Sequence, residues 1–261
     1  LNLVNFHSVD FLGMASGEAR IAGAFSEKPL LSADVIVKDF KFETGRMGTL
    51  YANVGYNHEE GNIEINAVAK DEDNRWTDIN GYVSPKHNYI NLAIDAHRTR
   101  AEFMESFCGS FMDNVNADIN GNVNVVGPLN NINLVGKAVV DGSVRLSALN
   151  TTYWMRGDSV TFVPDEIKFK GDTLYDRNGN IGIMTGSIYH KHLTNLSYAL
   201  KVKAKNLLAY DTHSFGDNTF YGTAYVTGDC DIKGKSGEVV IDIDAVPEKN
   251  SILVYNAADQ S

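Results

Sequence analysis

Strict alternation of apolar and polar residues is the feature that most restricts the fold of this chain. Ile63 and Ile65, for example, are flanked by Asn62, Glu64 and Asn66. The same period of two recurs in the segments 90–97, 122–125, 132–138, 198–205 and 239–245. Successive side chains of a β-strand point to opposite faces, and strands that are apolar on one face only are typical of antiparallel sheets with one solvated side. The pattern predicts an all-β fold and argues against an α/β nucleotide-binding fold.

Composition and charge support the same fold class and exclude some partners. The chain of 261 residues contains 23 Gly, 5 Pro and 26 Asn, so residues that helices disfavour and turns accept are frequent. Asp and Glu number 33 against 23 Lys and Arg, which gives a formal net charge of −10. A chain this acidic lacks the basic surface that nucleic acid requires. No apolar stretch is long enough to span a membrane as a helix.

One segment departs from the alternation. Phe103, Phe107 and Phe111 recur every four residues, with Met104 and Cys108 beside them. This is the spacing of an amphipathic helix of about three turns. We therefore expect one short helix near residues 100 to 112, with its apolar stripe covering an open end of the core of the sheet.

An internal repeat organises the chain. Two glycines separated by five residues begin at Gly17, Gly121 and Gly222, at offsets of 104 and 101 residues. Gly81 and Gly186 each follow a turn-like Asp-rich or Asn-rich segment at an offset of 105. These offsets predict a first β repeat over residues 1–120, a second over 121–221 and the start of a third over 222–261. Stacked repeats would form one continuous, lengthening β-structure.

Candidate catalytic and metal-binding residues do not assemble into a recognisable site in the sequence. His190 and His192 share one face of a strand, but an exposed strand end explains them better than a metal site. Asp176 opens a segment that resembles a calcium loop, yet Ile181 occupies the position where that loop requires Gly. A type I′ hairpin turn at Asn178 and Gly179 explains this segment better. Cys108 and Cys230 lie far apart in the sequence and indicate neither a zinc site nor a disulfide framework. We expect no enzyme activity, no cofactor and no metal.

Several segments of the C-terminal half carry a resemblance to a known family. They are the segments 150–153, 158–167, 174–180, 186–190 and 215–224. Together they resemble the C-terminal region of TamB-type proteins of Bacteroidetes, which belong to the AsmA-like group of bridge-like lipid transfer proteins. The resemblance covers about residues 115 to 256, and the earlier residues match mainly through the repeat. The motifs are turn and strand motifs, so they indicate a family rather than a site.

The resemblance implies a long periplasmic sheet bent into a U-shaped trough, often called a β-taco. The apolar inner face of such a trough carries phospholipid acyl chains between the inner and outer membranes. It also implies an outer-membrane barrel partner in the translocation and assembly module and an inner-membrane anchor in a segment outside this chain, which begins at Leu1 in the middle of the pattern.

The alternating apolar residues are the candidate lining of a lipid groove. They are Ile63, Ile65, Leu92, Ile94, Val123, Val125, Leu134, Leu200, Val202, Ile241 and Ile243. Roughly 16 strands, about 4.8 Å apart, would form such a trough. Alternation alone is equally compatible with a closed β-sandwich. The alternative function is therefore a rigid scaffold or adhesin whose apolar face is closed core.

Overall fold

The computed structural model describes residues 10–23, 25, 30–72, 74–109, 111–191, 194–215, 219–235 and 237–255. These residues form one antiparallel sheet of fifteen strands and one short helix. The strands are β1 Phe11–Ala22, β2 Leu30–Phe42, β3 Gly45–Asn57, β4 Asn62–Glu72, β5 Arg75–Ser84, β6 Tyr89–Arg100, β7 Met112–Pro128, β8 Asn133–Leu146, β9 Thr151–Val163, β10 Glu166–Tyr175, β11 Ile181–Lys191, β12 Thr194–Thr212, β13 Phe220–Lys235, β14 Glu238–Pro247 and β15 Ile252–Tyr255, and helix α1 is Met104–Cys108. The predicted all-β fold with one helix near residues 100–112 is confirmed.

The sheet is a simple meander in which each strand pairs with the next one in the sequence from β1 to β14. Strand β15 continues beyond β14 on the same partner, β13. Within the described residues β1 and β14 do not pair with each other, so the sheet is open rather than closed into a barrel. All the described strands belong to one hydrogen-bonded sheet.

Helix α1 is shorter than the spacing of its aromatic residues predicts. It ends after Cys108, a turn closes with a hydrogen bond from Phe111 N to Cys108 O, and β7 begins at Met112. Gly109 follows Cys108, and glycine is a poor helix former because its backbone loses the most freedom on ordering. The expected stripe of about three turns is thus a five-residue helix followed by a turn.

The repeat anchors fall on strands that are six apart. Gly17, Gly121 and Gly222 lie in β1, β7 and β13, and Gly81 and Gly186 lie in β5 and β11. An offset of just over 100 residues therefore corresponds to six strands of the meander. The segments around Phe111 and Phe215 occupy corresponding connections, β6 to β7 and β12 to β13.

The sheet curls so strongly that distant strands meet. The hydroxyl of Tyr153 in β9 donates a hydrogen bond to the carbonyl of Leu208 in β12 at 2.7 Å, although β10 and β11 lie between them in the sheet. Asp211 N, at the end of β12, donates to Leu149 O in the turn between β8 and β9. Pairing of β9 with β10 is interrupted between Lys168 and Tyr175, and the register of β10 with β11 shifts between Lys170 and Asp172. Such irregularities bend a sheet.

Candidate functional site

One face of the sheet carries an unbroken apolar row. Directly paired residues of neighbouring strands point to the same face, so the pairing can be followed across the sheet. The row runs through Gly17, Val35, Ala52, Ala67, Ile79, Ile94, Val123, Gly136, Phe162, Ile167, Ile188, Tyr198, Gly234 and Val239. It crosses every strand from β1 to β14, and its only polar side-chain atom is the hydroxyl oxygen of Tyr198. We call the face that carries this row the apolar face.

All eleven predicted lining residues lie on the apolar face. Ile94 and Val123 belong to the row itself, and Ile65, Leu92, Val125 and Leu134 form the next row through Gly81. The other five residues lie two or four positions from a member of the row along the same strand, which places them on the same face. They are Ile63, Leu200, Val202, Ile241 and Ile243. The lining residues predicted from the sequence did not include Ile79 and Ile167. The alternation of Ile79 with Asp78 and Asn80 would have placed Ile79 on the same face.

The opposite face carries a row of polar residues, together with exposed apolar side chains such as those of Ile36 and Tyr51. Asp34, Asn53, Asn66 and Asn80 pair in a row across β2 to β5. The amide of Asn53 donates to the Asp34 carboxylate at 2.8 Å. Asn124 and Lys201, the sequence neighbours of Val125 and Leu200, are both exposed on this side. The two faces of the sheet therefore differ in polarity as the alternation predicts.

The N-terminal half of the apolar face is open. Ile63, Ile65, Leu92, Ile94 and Val125 are all half-buried. Around the β2–β3 hairpin, Val37, Phe40 and Ala69 form a small cluster with partly buried Phe11 and Leu50. Elsewhere from β3 to β8 the face combines half-buried apolar side chains with buried ones, among them Ala67, Ile90 and Ala138. This surface could accept an apolar ligand without rearrangement of the strands.

The C-terminal half of the apolar face is covered by the segment around α1. Cys108 and Phe111 are 1% and 2% exposed, and they pack with Ile188, Tyr198 and Ile232. Leu200 belongs to this cluster and Val202 to an adjacent one, and each is only 6% exposed. The packing partners of Leu200 and Val202 in the structure are therefore protein side chains.

The α1 segment is also fixed to the N-terminal strands. The ring of Phe42, at the end of β2, lies 5.2 Å from that of Phe103 and 6.2 Å from that of Phe107. The hydroxyls of Thr44 and Ser106 are hydrogen-bonded at 2.8 Å. A Cβ atom added at Gly45 would lie 2.6 Å from the Phe103 nitrogen, so only glycine allows this approach. We call residues 103–109 and 111, which touch both halves of the sheet, the α1 wedge.

A second cluster closes the apolar face beyond the α1 wedge. Tyr153 and Met155 of β9 pack with Leu174 of β10 and with Val202 and Leu207 of β12. Burial raises the pKa of the Tyr153 phenol, whose hydroxyl is held by the Leu208 carbonyl. The face from β8 to β13 is thus a filled core, in contrast with the face from β3 to β8.

Both cysteines are free thiols in this filled region. Cys108 is buried, and Cys230 is partly buried against the same cluster. Burial raises the pKa of Cys108 to about 12. Burial, together with the charges of Asp231 and Asp242, raises the pKa of Cys230 to about 11. A thiol with so high a pKa is a poor nucleophile near neutral pH, so neither cysteine is set up for catalysis.

The calcium-like segment is a hairpin turn built around Asp176. The Asp176 carboxylate accepts hydrogen bonds at 2.9 Å from Asn178 N, Asn180 N, the Asn180 side-chain amide and Leu208 N. The expectation of a type I′ turn is wrong, because Gly179 has a φ of +82° whereas Asn178 does not have a positive φ. The bond from Gly179 N to Asp176 O, followed by a left-handed glycine, is the three-residue loop with a type I turn and a bulge.

His190 is not at an exposed strand end. It is 5% exposed, and its backbone N donates to Asp165 O. His192, its expected neighbour on the strand face, lies outside the described residues. Among the residues that the structure describes, no group of three or more His, Cys, Asp or Glu side chains could hold a metal ion.

Comparison with known proteins gives no match: no family model, no curated protein and no solved structure is similar to this chain. Over the described ranges, the structure has no helix both long and apolar enough to cross a membrane.

Proposed function

We propose that the open apolar face from β3 to β8 binds the acyl chains of phospholipids and that the protein is a non-enzymatic lipid conduit. The observation that carries this proposal is the continuous apolar row that crosses all strands from β1 to β14. Hydrocarbon is attracted to such a surface by about 25 cal/mol for each Å² of apolar area removed from water. Exposed contiguous apolar surface of this kind marks binding sites in proteins.

The half-buried residues define where the chains would lie. Seven half-buried residues would contact lipid: Ile63, Ile65, Leu92, Ile94, Val123, Val125 and Leu134. Leu200 and Val202 would contact it only if the α1 wedge moved away. The α1 wedge would then be the end wall of the open groove. Ile241 is half-buried and Ile243 is 48% exposed, so a second accessible stretch lies at β14.

The cellular setting of the proposal rests on the resemblance to TamB-type proteins. By that resemblance the sheet would lie in the periplasm, carry phospholipid between the inner and outer membranes and support outer-membrane protein assembly with a barrel partner. Its inner-membrane anchor would lie in a segment outside this chain. The formal net charge of −10 accords with a role that involves no nucleic acid.

A scaffold role is the second candidate function, and the filled half of the sheet favours it. From β8 to β13 the apolar face packs against its own side chains and the α1 wedge, as the core of a rigid β-structure would. In a scaffold the open half would be covered by a protein surface instead of lipid.

Site-specific photo-crosslinking in cells distinguishes the two functions. A photo-reactive amino acid at Val125, on the open apolar face, should give phospholipid adducts detectable by mass spectrometry. The matched control is Asn124, the adjacent residue on the polar face, which should give none. Leu200 with its neighbour Lys201 forms a second pair, and we expect no adducts at either because Leu200 is covered. Protein adducts without lipid at Val125 would contradict the conduit and support the scaffold.

A further inference from the structure

A polar cavity lies on the molecule apart from the apolar face. It has a volume of about 560 Å³ and is lined by Asn178, Asn180, Asn206, Thr223, Tyr225, Asn250 and Ile252. These residues come from the β10–β11 turn, from β12 and β13, and from the connection between β14 and β15.

The cavity exists because the edge of the sheet is interrupted. Strand β14 ends at Pro247 and pairing with β13 resumes at Ile252. Between them the connection is tied down on Tyr225, since Glu248 N donates to Tyr225 O and the Ser251 hydroxyl accepts from Tyr225 N at 3.0 Å. Asn250 is thereby held at the rim of the cavity.

A bulge in β12 directs Asn206 towards the cavity. The pairing register between β12 and β13 shifts between Ala204 and Leu207, and Asn206 has a φ of +51°, a left-handed conformation. Bulges commonly redirect a side chain next to a functional site. The Asn206 amide donates to Asn180 Oδ1 at 3.2 Å, and the Asn178 amide donates to the Tyr225 hydroxyl at 2.6 Å. The buried Asp176 carboxylate fixes the turn that carries Asn178 and Asn180.

The chemistry of the lining indicates the ligand class. None of the described lining residues is charged. Their amides and hydroxyls bond to one another and to Asp176 and Asp211, and each amide or hydroxyl oxygen has more than one lone pair for further hydrogen bonds. Beside the cavity the guanidinium of Arg177 pairs with the Asp211 carboxylate at 2.6 Å and also hydrogen-bonds to Tyr225, so this cation already has an anionic partner. Tyr225 and the 70% exposed Ile252 supply apolar contact. Sugar hydroxyls also both donate and accept, and the C–H face of a sugar ring packs on apolar side chains.

From this combination we propose that the cavity binds a neutral saccharide. The site would tether the sheet to a carbohydrate through the polar face while the apolar face remains free. This inference does not depend on lipid transport, because no residue of the open apolar face lines the cavity.

Saturation-transfer NMR with the full chain tests the proposal, with cellobiose and N,N′-diacetylchitobiose at millimolar concentration as probes. We expect transfer to the ring protons of at least one disaccharide. Asn206→Gly removes the amide but keeps the left-handed backbone conformation, and Asn250→Ala removes the rim amide. Each variant should weaken binding by about fivefold, the effect of losing one hydrogen bond of about 1 kcal/mol.

The matched control is Asn124→Ala, which removes an exposed amide from a distant part of the polar face and should leave binding unchanged. Absence of transfer to both disaccharides would overturn the proposal. Equal weakening in Asn124→Ala and Asn206→Gly would also overturn it, as would binding of inorganic phosphate without binding of either sugar.

Discussion

The ring of Phe111 packs against the ring of Tyr198, with centroids 4.5 Å apart and planes inclined by 47°. Phe111 precedes β7, whereas Tyr198 lies in β12, five strands further along the sheet. This contact joins the α1 wedge to the apolar face of the C-terminal half. This contact between two residues that are remote in sequence and in strand order therefore sets the boundary of the open part of the apolar face.

Phe111→Ala should strongly destabilise the protein. Phe111 is 2% exposed, and removal of a buried ring typically costs about 3–5 kcal/mol. The free energy of unfolding in urea, followed by tyrosine and tryptophan fluorescence, measures this loss. Phe215→Ala is the matched control, because Phe215 occupies the corresponding connection but is only half-buried against Tyr221. A loss at Phe215 as large as that at Phe111 would contradict the assigned role of Phe111.

A carboxylate on the apolar face should have different effects in the two halves. Leu200→Asp places a charge among Tyr198, Ile232 and the α1 wedge, and we expect more than about 4 kcal/mol of destabilisation or failure to fold. Val125→Asp leaves the charge half-exposed, and a cost of about 1–2 kcal/mol is expected. Urea unfolding measures both, with Asn124→Asp on the polar face as the control. Similar losses at Val125 and Leu200 would show that the face from β3 to β8 is covered.

The sequence predicts which face a residue occupies but not whether that face is covered. Val125 and Leu200 stand in the same alternating pattern, and the period of two places both correctly. Their different burial depends on the cumulative curl of the sheet and on the contact between Phe111 and Tyr198, which no local pattern encodes. The aromatic spacing of Phe103, Phe107 and Phe111 did identify the α1 wedge, although not the surface it covers. The cavity around Asn206 depends on a bulge and a broken edge strand, for which the sequence gives no periodic signal.

Asp176→Ala should destabilise the β10–β11 hairpin and its contact with β12. The substitution leaves the backbone N–H groups of Asn178, Asn180 and Leu208 without their acceptor. Leu208 N is buried, and an unpaired buried donor costs about 1–3 kcal/mol, whereas water can reach the exposed Asn178. Thermal unfolding measures the loss. Because the carboxylate is engaged by these donors, addition of calcium or of a chelator should leave the melting temperature of the unmodified protein unchanged. A calcium-dependent shift of several degrees would contradict the turn as the role of Asp176.

The two thiols should be unreactive in the folded protein. The pKa of Cys108 is raised to about 12 and that of Cys230 to about 11, so the thiolate fraction is very small at mildly alkaline pH. Reaction with a colorimetric disulfide reagent should be slow in buffer and complete within mixing time in urea. Cys230 should react before Cys108, since it is less buried. Rapid native labelling of Cys108 would show that the α1 wedge opens readily.

Asp172 should make the stability of the protein decrease as the pH rises. Burial raises the pKa of this carboxyl, and the hydrogen bond from Lys170 N offsets the effect only in part. The folded state then binds the proton more tightly than the unfolded chain does. The ionised carboxylate therefore destabilises the protein at a pH above the folded-state pKa. This destabilisation disappears as the pH falls through the folded-state pKa towards the unfolded-state pKa of about 4. Asp172→Asn removes the charge, and it should increase the free energy of unfolding at neutral pH.

That gain should shrink steadily as the solution is acidified, because the unmodified side chain then becomes neutral as well. Urea unfolding across this pH range measures the difference between the two proteins. A gain that grew on acidification would mean that the Asp172 carboxylate is stabilised by its surroundings, and the sign of the shift would be reversed.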